Sequence, residues 1–353
     1  MSIAPALPTP VANPPRHPAR IRWYRSPVDR DQLALLNRRS DLRGGLQTGG
    51  FLGLLSANAM LAAYSATHWP WPVTLMLVFW HGTCWQFLIN GFHELVHRSV
   101  FRTKWLNELF VRVFGFLGWH NHHFFRASHE AHHKYTLHEP DDLEVVLPVP
   151  MTLAGYLSRA IVDLPGFLHM LGGQVRRALG NWNPEGDRWT ARLFPANDAR
   201  GRRQLVGWAR ILLLGHGLVA AAALAAGWWI VPVLVSLPNA YGRWLHLLLN
   251  ETQHIGLQDH TPDYRLCCRT ILVNPFLRFL YWNMNYHTEH HMYAAVPCYN
   301  LGRLHRLIAA DLPPCPRGLV ATWRGIAAVL RRQRTDPAYC YVAPLPGPAG
   351  PAD

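Results

Sequence analysis

Four short stretches hold residues able to bind a metal. "HELVH" carries His93 and His97, "HEAHH" carries His129, His132 and His133, "HTEHH" carries His287, His290 and His291, and "NETQH" carries Asn250 and His254. Residues three or four apart share a helix face, so each stretch presents its donors together. The first also matches HExxH, in which two histidines bind zinc and the intervening glutamate, here Glu94, serves as general base for peptide hydrolysis. One zinc uses about four ligands. Nine histidines and an asparagine exceed that and suit two metals with four or five protein ligands each. Nitrogen donors with few carboxylates and almost no thiols fit iron, zinc, copper or nickel, so ligand type alone does not choose the metal.

Donors scattered over two hundred residues need a scaffold that gathers them. Only 16% of the 353 residues are charged, while Trp 15, Phe 14 and Tyr 12 are plentiful. The apolar residues fall in long blocks. Runs at 49–69, 73–92, 211–229 and 233–250 each approach the roughly 20 residues that cross a bilayer. The last is less clean, because it contains Pro238 and Arg243. The expected fold is an all-α integral membrane protein with about four transmembrane helices in two hairpins. A cytosolic helical cap, 93–206 and 251–307, carries the histidine motifs. The turns at 70–72 and 228–232 have no charge, whereas 98–203 and the region after Arg265 are rich in arginine, which places both termini and the cap in the cytosol.

A basic, proline-rich cytosolic arm (1–48) precedes the membrane domain (49–307), and a cytosolic segment with a Pro/Gly-rich tail (308–353) follows it. No signal peptide is visible. Six cysteines without CxxC pairing read as reduced thiols. The net charge of +13 follows from the cytosolic arginines and also suits anionic lipid or an acidic redox partner; no nucleic-acid partner is expected. The stretch 151–179, which mixes apolar residues with Arg159, Asp163, Arg176 and Arg177, reads as amphipathic helices on the membrane surface.

With "HELVH", "HEAHH" and "HTEHH" in that order, two apolar hairpins interleaved with them, and "NETQHIGL" ahead of "NYHTEHHMYAAVPCYNLGRLH", the chain resembles the membrane fatty acid desaturase superfamily over roughly 49–307. The resemblance implies a non-haem di-iron centre that uses dioxygen and two electrons to attack an unactivated C–H bond of an apolar chain. Carried over by position, the ligands of two iron ions are His93, His97, His129, His132, His133, His254, His287, His290 and His291. Asn250 stands where some members reach a metal through water. The plain HxxHH second box, without the glycine-containing extension of alkane hydroxylases, favours desaturation of a fatty acyl chain over hydroxylation. The alternatives are a hydroxylase or monooxygenase on the same scaffold and, more distantly, an intramembrane zinc peptidase. No fused cytochrome b5 domain is visible, so electrons are expected from a separate ferredoxin or cytochrome b5 type donor with its reductase. The expected location is the inner or plasma membrane, with the active site facing the cytoplasm.

Beside the ligands, Glu94, Glu130, Glu251, Glu289, Asp141 and Asp142 are candidates to orient imidazole N–H groups. Trp80, Trp85, Phe87 and Trp244 are candidates to line the substrate path. His120, His122 and His123 lie outside the boxes and read as interfacial, as do His138 and His246.

Overall fold

The computed structural model describes residues 20–149, 151–182 and 185–346. The proline-rich stretch before Arg20 and the residues after Pro346, expected as arm and tail, lie outside these. Among the described residues every regular element is a helix, and strand pairing is confined to isolated bridges such as Tyr24 with Asp263.

The first hairpin starts earlier than the apolar run implies. Helix Asp41–His68 is capped by Ser40, whose hydroxyl accepts the Arg43 amide. At 28 residues it is about 42 Å long at 1.5 Å per residue. Pro72, in the first turn of helix Trp71–Trp85, has the fixed φ that suits a helix start. After a break at Gln86 and Phe87 the chain continues as Leu88–Val96, which carries the first histidine motif. Two stretches, Trp71–Val96 and Ala199–Ala225, are long and apolar enough to cross a membrane. The second lies earlier in the chain than the expected 211–229.

The fourth expected span, 233–250, is not one helix. It divides into Ile230–Val235, a 3-10 turn Pro238–Ala240 and Trp244–Asn250. Pro238 lacks the amide a continuing helix needs, and Gly242 adopts φ +72. The carbonyls freed by this break are used: Gln86 Nε2 donates to the Pro238 and Tyr241 carbonyls at 2.8 Å each. The broken regions of the two hairpins thus hold one another. Gly82 makes that approach feasible, since a Cβ there would lie 2.2 Å from the Tyr241 ring.

The hairpin helices turn large apolar side chains outward. Met60, Trp71, Met76, Leu214, Leu218 and Trp228 are all at least 66% exposed, a distribution that water disfavours and lipid accepts. The core lies instead around the first-motif helix, whose Leu88, Phe92, Leu95 and Val96 pack with Phe114, Trp282 and Met284.

Both ends of the described chain are stapled to this core. Trp23 stacks on Tyr264 with centroids 4.2 Å apart, and its indole N–H donates to the Lys134 carbonyl at 3.0 Å. Tyr264 in turn donates its hydroxyl to the His133 carbonyl at 3.0 Å. On the C-terminal side, Trp323 of helix Gly318–Gln333 donates to the Leu248 carbonyl at 2.8 Å.

Candidate metal centre

The nine histidines gather into two groups. His93, His97, His129, His133 and His290 form the first; His132, His254, His287 and His291 form the second; and within each the potential ligand atoms lie within 4.8 Å of one another. The division follows helix geometry. At about 100° per residue, positions i and i+4 are nearly in line, whereas i+3 and i+4 diverge. Each i,i+4 pair (93/97, 129/133 and 287/291) therefore stays in one group, and the i+3 residue of each HxxHH crosses to the other.

Hydrogen bonds set the orientation of the rings. His129 Nδ1 donates to Glu144 Oε1, His132 Nδ1 to Asp142 Oδ2 (both 2.8 Å), and His254 Nδ1 to the Cys267 carbonyl (2.7 Å). A proton held on the outer Nδ1 leaves the inner Nε2 as a bare lone pair. The inner nitrogens crowd accordingly. His129 Nε2 is 3.1 Å from His97 Nε2 and 2.9 Å from His133 Nε2, His290 Nε2 is 3.0 Å from His133 Nε2, and His287 Nε2 is 2.9 Å from His254 Nε2. A cation at the centre of each group would accept all of these nitrogens as lone-pair donors at once. The donor set and its orientation therefore fit a metal in both places.

Electrostatics favours the ligand form as well. Burial, reinforced by neighbouring imidazoles, pushes His129, His133, His287, His290 and His291 well below the usual histidine range, and takes His254 down to about 3. A lowered pKa favours the neutral ring, which is the form that coordinates a metal. His132 differs: burial acts against its charge, but the hydrogen bond and charge of Asp142 outweigh it and the pKa rises. Burial likewise acts to raise Asp142, yet His132 and the Leu137 and Glu144 amides hold its carboxyl below the usual range.

The acidic candidates fare differently. Asp142 orients a ring, whereas Asp141 is turned away and pairs with Arg192. Glu94 is fully buried, with Oε1 3.3 Å from His93 Nδ1 and 3.5 Å from His290 Nδ1. Because the Nε2 of His290 faces His133, Glu94 stands on the outer side of the ring set. Glu130 is exposed at the surface of its helix. Glu289 contacts none of the nine rings through a hydrogen bond; it binds His305 Nδ1 at 2.5 Å and the Thr270 hydroxyl, tying helix Cys298–Ile308 to the third motif. Glu251 caps helix Trp244–Asn250. Asn250 is the last residue of that helix and His254 lies in the turn beyond it, so the helical-face argument does not apply to their spacing.

Several supporting groups escaped the sequence reading. Glu144 follows Asp142 by two residues in "DDLE", and in non-helical chain such alternate residues can face the same way. Ser128 also donates to Glu144, at 2.5 Å. Thr136 Oγ1 lies 3.2 Å from His291 Nδ1, and Met284 Sδ 3.3 Å from His287 Nδ1. Of the remaining histidines, His120, His122, His123 and His246 belong to neither group. His120 packs against Phe92 at 5.1 Å, and with His246 it lines a cavity of about 250 Å³. Trp85 also lines this cavity, whereas Trp80 is outward-facing and 37% exposed.

The fatty acid desaturase family model matches residues 66–322, and the chain belongs to that family of membrane-bound oxidoreductases. The chain is similar to the sphingolipid delta(4)-desaturase of Candida albicans, with 26% identity over 279 residues, covering 75% of this chain and 70% of that protein.

Proposed function

We propose that this protein is a di-iron desaturase that inserts a double bond into the long chain of a lipid. The observation carrying this reading is the division of nine buried or half-buried imidazoles into groups of five and four, with the outer nitrogens of His129, His132 and His254 anchored and the inner nitrogens converging. His93, His97, His129, His133 and His290 would hold one iron, and His132, His254, His287 and His291 the other. Bound there, the irons supply the activation of dioxygen needed to cleave an unactivated C–H bond. Dioxygen, two electrons and two protons, with two hydrogens from neighbouring carbons, give a carbon–carbon double bond and two waters. The likeness to a sphingolipid desaturase supports a long lipid chain as substrate.

The chain's own residues orient the ligands and exclude water. Asp142, Glu144 and the Cys267 carbonyl fix ring orientation. Phe92, Phe125 and Trp282 pack around the first motif and keep the reacting carbon in a dry, confined space. The arginine-rich segments support a cytoplasmic orientation of the site in an inner or plasma membrane. Their charge also suits docking of an acidic ferredoxin or cytochrome b5 type donor with its reductase. A peptidase would leave the four-histidine group without a role and needs its glutamate facing the metal-bound water, not outside the ring set.

The test is metal analysis with Mössbauer spectroscopy on detergent-purified protein. About two irons per chain are expected from the ligand count, with His133→Ala depleting the five-histidine site and His291→Ala the four-histidine site. A single zinc unaffected by His291→Ala would overturn the reading. Lipid products formed under ¹⁸O₂ separate desaturation, which leaves no label in the lipid, from hydroxylation, which does.

A further inference from the structure

The cavity of about 250 Å³ beside the first motif has a mainly apolar wall interrupted by several polar side chains. Leu88 and Ile89 line it together with His120, Asn239, Arg243 and His246. It adjoins the metal centre by chain geometry. Ile89 lies one helical turn before His93, and Phe92, the residue before His93, packs on His120 with ring centroids 5.1 Å apart. Most of the polar groups are already engaged. Asn239 donates to the Gly118 carbonyl at 2.7 Å, and Arg243 is paired with Asp163.

Two lining ring nitrogens have no hydrogen-bond partner in the protein, Nε1 of Trp85 and Nε2 of His246. Of the two, only an imidazole can accept as well as donate, which singles out His246. The residue is 9% exposed, its ring meets Phe87 edge to face at 5.4 Å, and its Nε2 has no hydrogen-bond partner in the protein. A buried ring nitrogen without a partner costs stability, and a polar group on a bound lipid would remove that cost. A purely hydrocarbon substrate would be served better by leucine at this position.

Building on the desaturase reading, we infer that His246 is a specificity-determining residue: it hydrogen-bonds a hydroxyl or amide on the lipid, near the carbon attacked, and His120 closes the same chamber. The preferred substrate is then a functionalised long chain and not a plain acyl chain. The imidazole serves as donor or acceptor according to its tautomer, so either polar group can complete it.

The experiment measures binding to purified, metal-loaded full-length protein by displacement of a fluorescent lipid. Three competitors of equal chain length are used: an N-acyl-2-aminoalkane-1,3-diol, its 3-deoxy analogue, and a plain saturated acyl ester. His246→Phe is expected to weaken the diol about tenfold, the loss of one good hydrogen bond, while leaving the plain ester within about twofold. His246→Gln, which restores a polar group, should recover most of that loss. If the 3-deoxy lipid is unaffected by His246→Phe, the 3-hydroxyl is the partner; if it is weakened as the diol is, the amide or the 1-hydroxyl is. Equal weakening of all three lipids, or of none, would overturn the inference. So would a wild-type protein that holds two irons yet does not prefer the diol to the plain ester. Metal analysis of each sample keeps the two proposals apart, since absence of the irons counts against the di-iron reading whatever the lipid preference.

Discussion

The two histidine groups differ in enclosure and in the way their rings are held. In the five-histidine group His97 and His133 are only half-buried, and the outer nitrogens of His93 and His290 face Glu94 at 3.3 and 3.5 Å without a well-formed hydrogen bond. In the four-histidine group every ring is buried, and His132 and His254 are fixed by short bonds to Asp142 and to a backbone carbonyl. One site has more donors and looser support; the other has fewer donors and a tighter frame. An ion held by four histidines keeps more positions for exogenous ligands, so it needs rigidity to keep its geometry.

This contrast can be sharpened by breaking one anchor at a time. The largest effect is expected from Asp142→Ala, which strands the Nδ1 proton of a fully buried ring. Iron affinity at the four-histidine site should fall by about 10- to 100-fold, the usual cost of losing such an outer hydrogen bond, as read by metal titration. Glu144→Gln should cost the five-histidine site less, because the amide oxygen can still accept from His129. Equal losses in the two variants would remove the distinction. Next in size is the order of metal loss to a chelator followed by Mössbauer spectroscopy. The less enclosed five-histidine site should empty first, and simultaneous loss would mean that enclosure does not govern release. The smallest effect is expected at Glu130: on its exposed side chain Glu130→Gln should change stability by no more than about 0.5 kcal/mol and leave iron content intact. A loss of iron there would restore the supporting role that its position beside His129 implied.

Much of this centre was legible in the sequence because imidazole spacing on a helix is a local property. All nine rings named from their spacing and from the family resemblance converge in space. Their partition was not legible as a single shared face: His132 and His133 are adjacent in sequence and belong to different groups, and only the packing of three helices against one another decides where each ring points. Asn250 illustrates the opposite failure, since a four-residue interval carries a helical meaning only while the helix continues. The fourth apolar run misled for a related reason. Hydropathy reads through Pro238 and Gly242, whereas the backbone breaks there and spends its freed carbonyls on Gln86. The partners of the outer nitrogens were the least accessible, because a backbone carbonyl such as that of Cys267 has no signature in residue type.

The stacking of Trp23 on Tyr264 has a practical consequence for how this enzyme is handled. Trp23 holds the Lys134 carbonyl and Tyr264 holds the His133 carbonyl, so the end of the second-motif helix is gripped by a residue more than a hundred positions upstream. An expression design that trims the chain beyond Arg22, or mounts a bulky fusion directly before Trp23, removes or displaces that grip. Iron retention on storage would then depend on where the tag is placed.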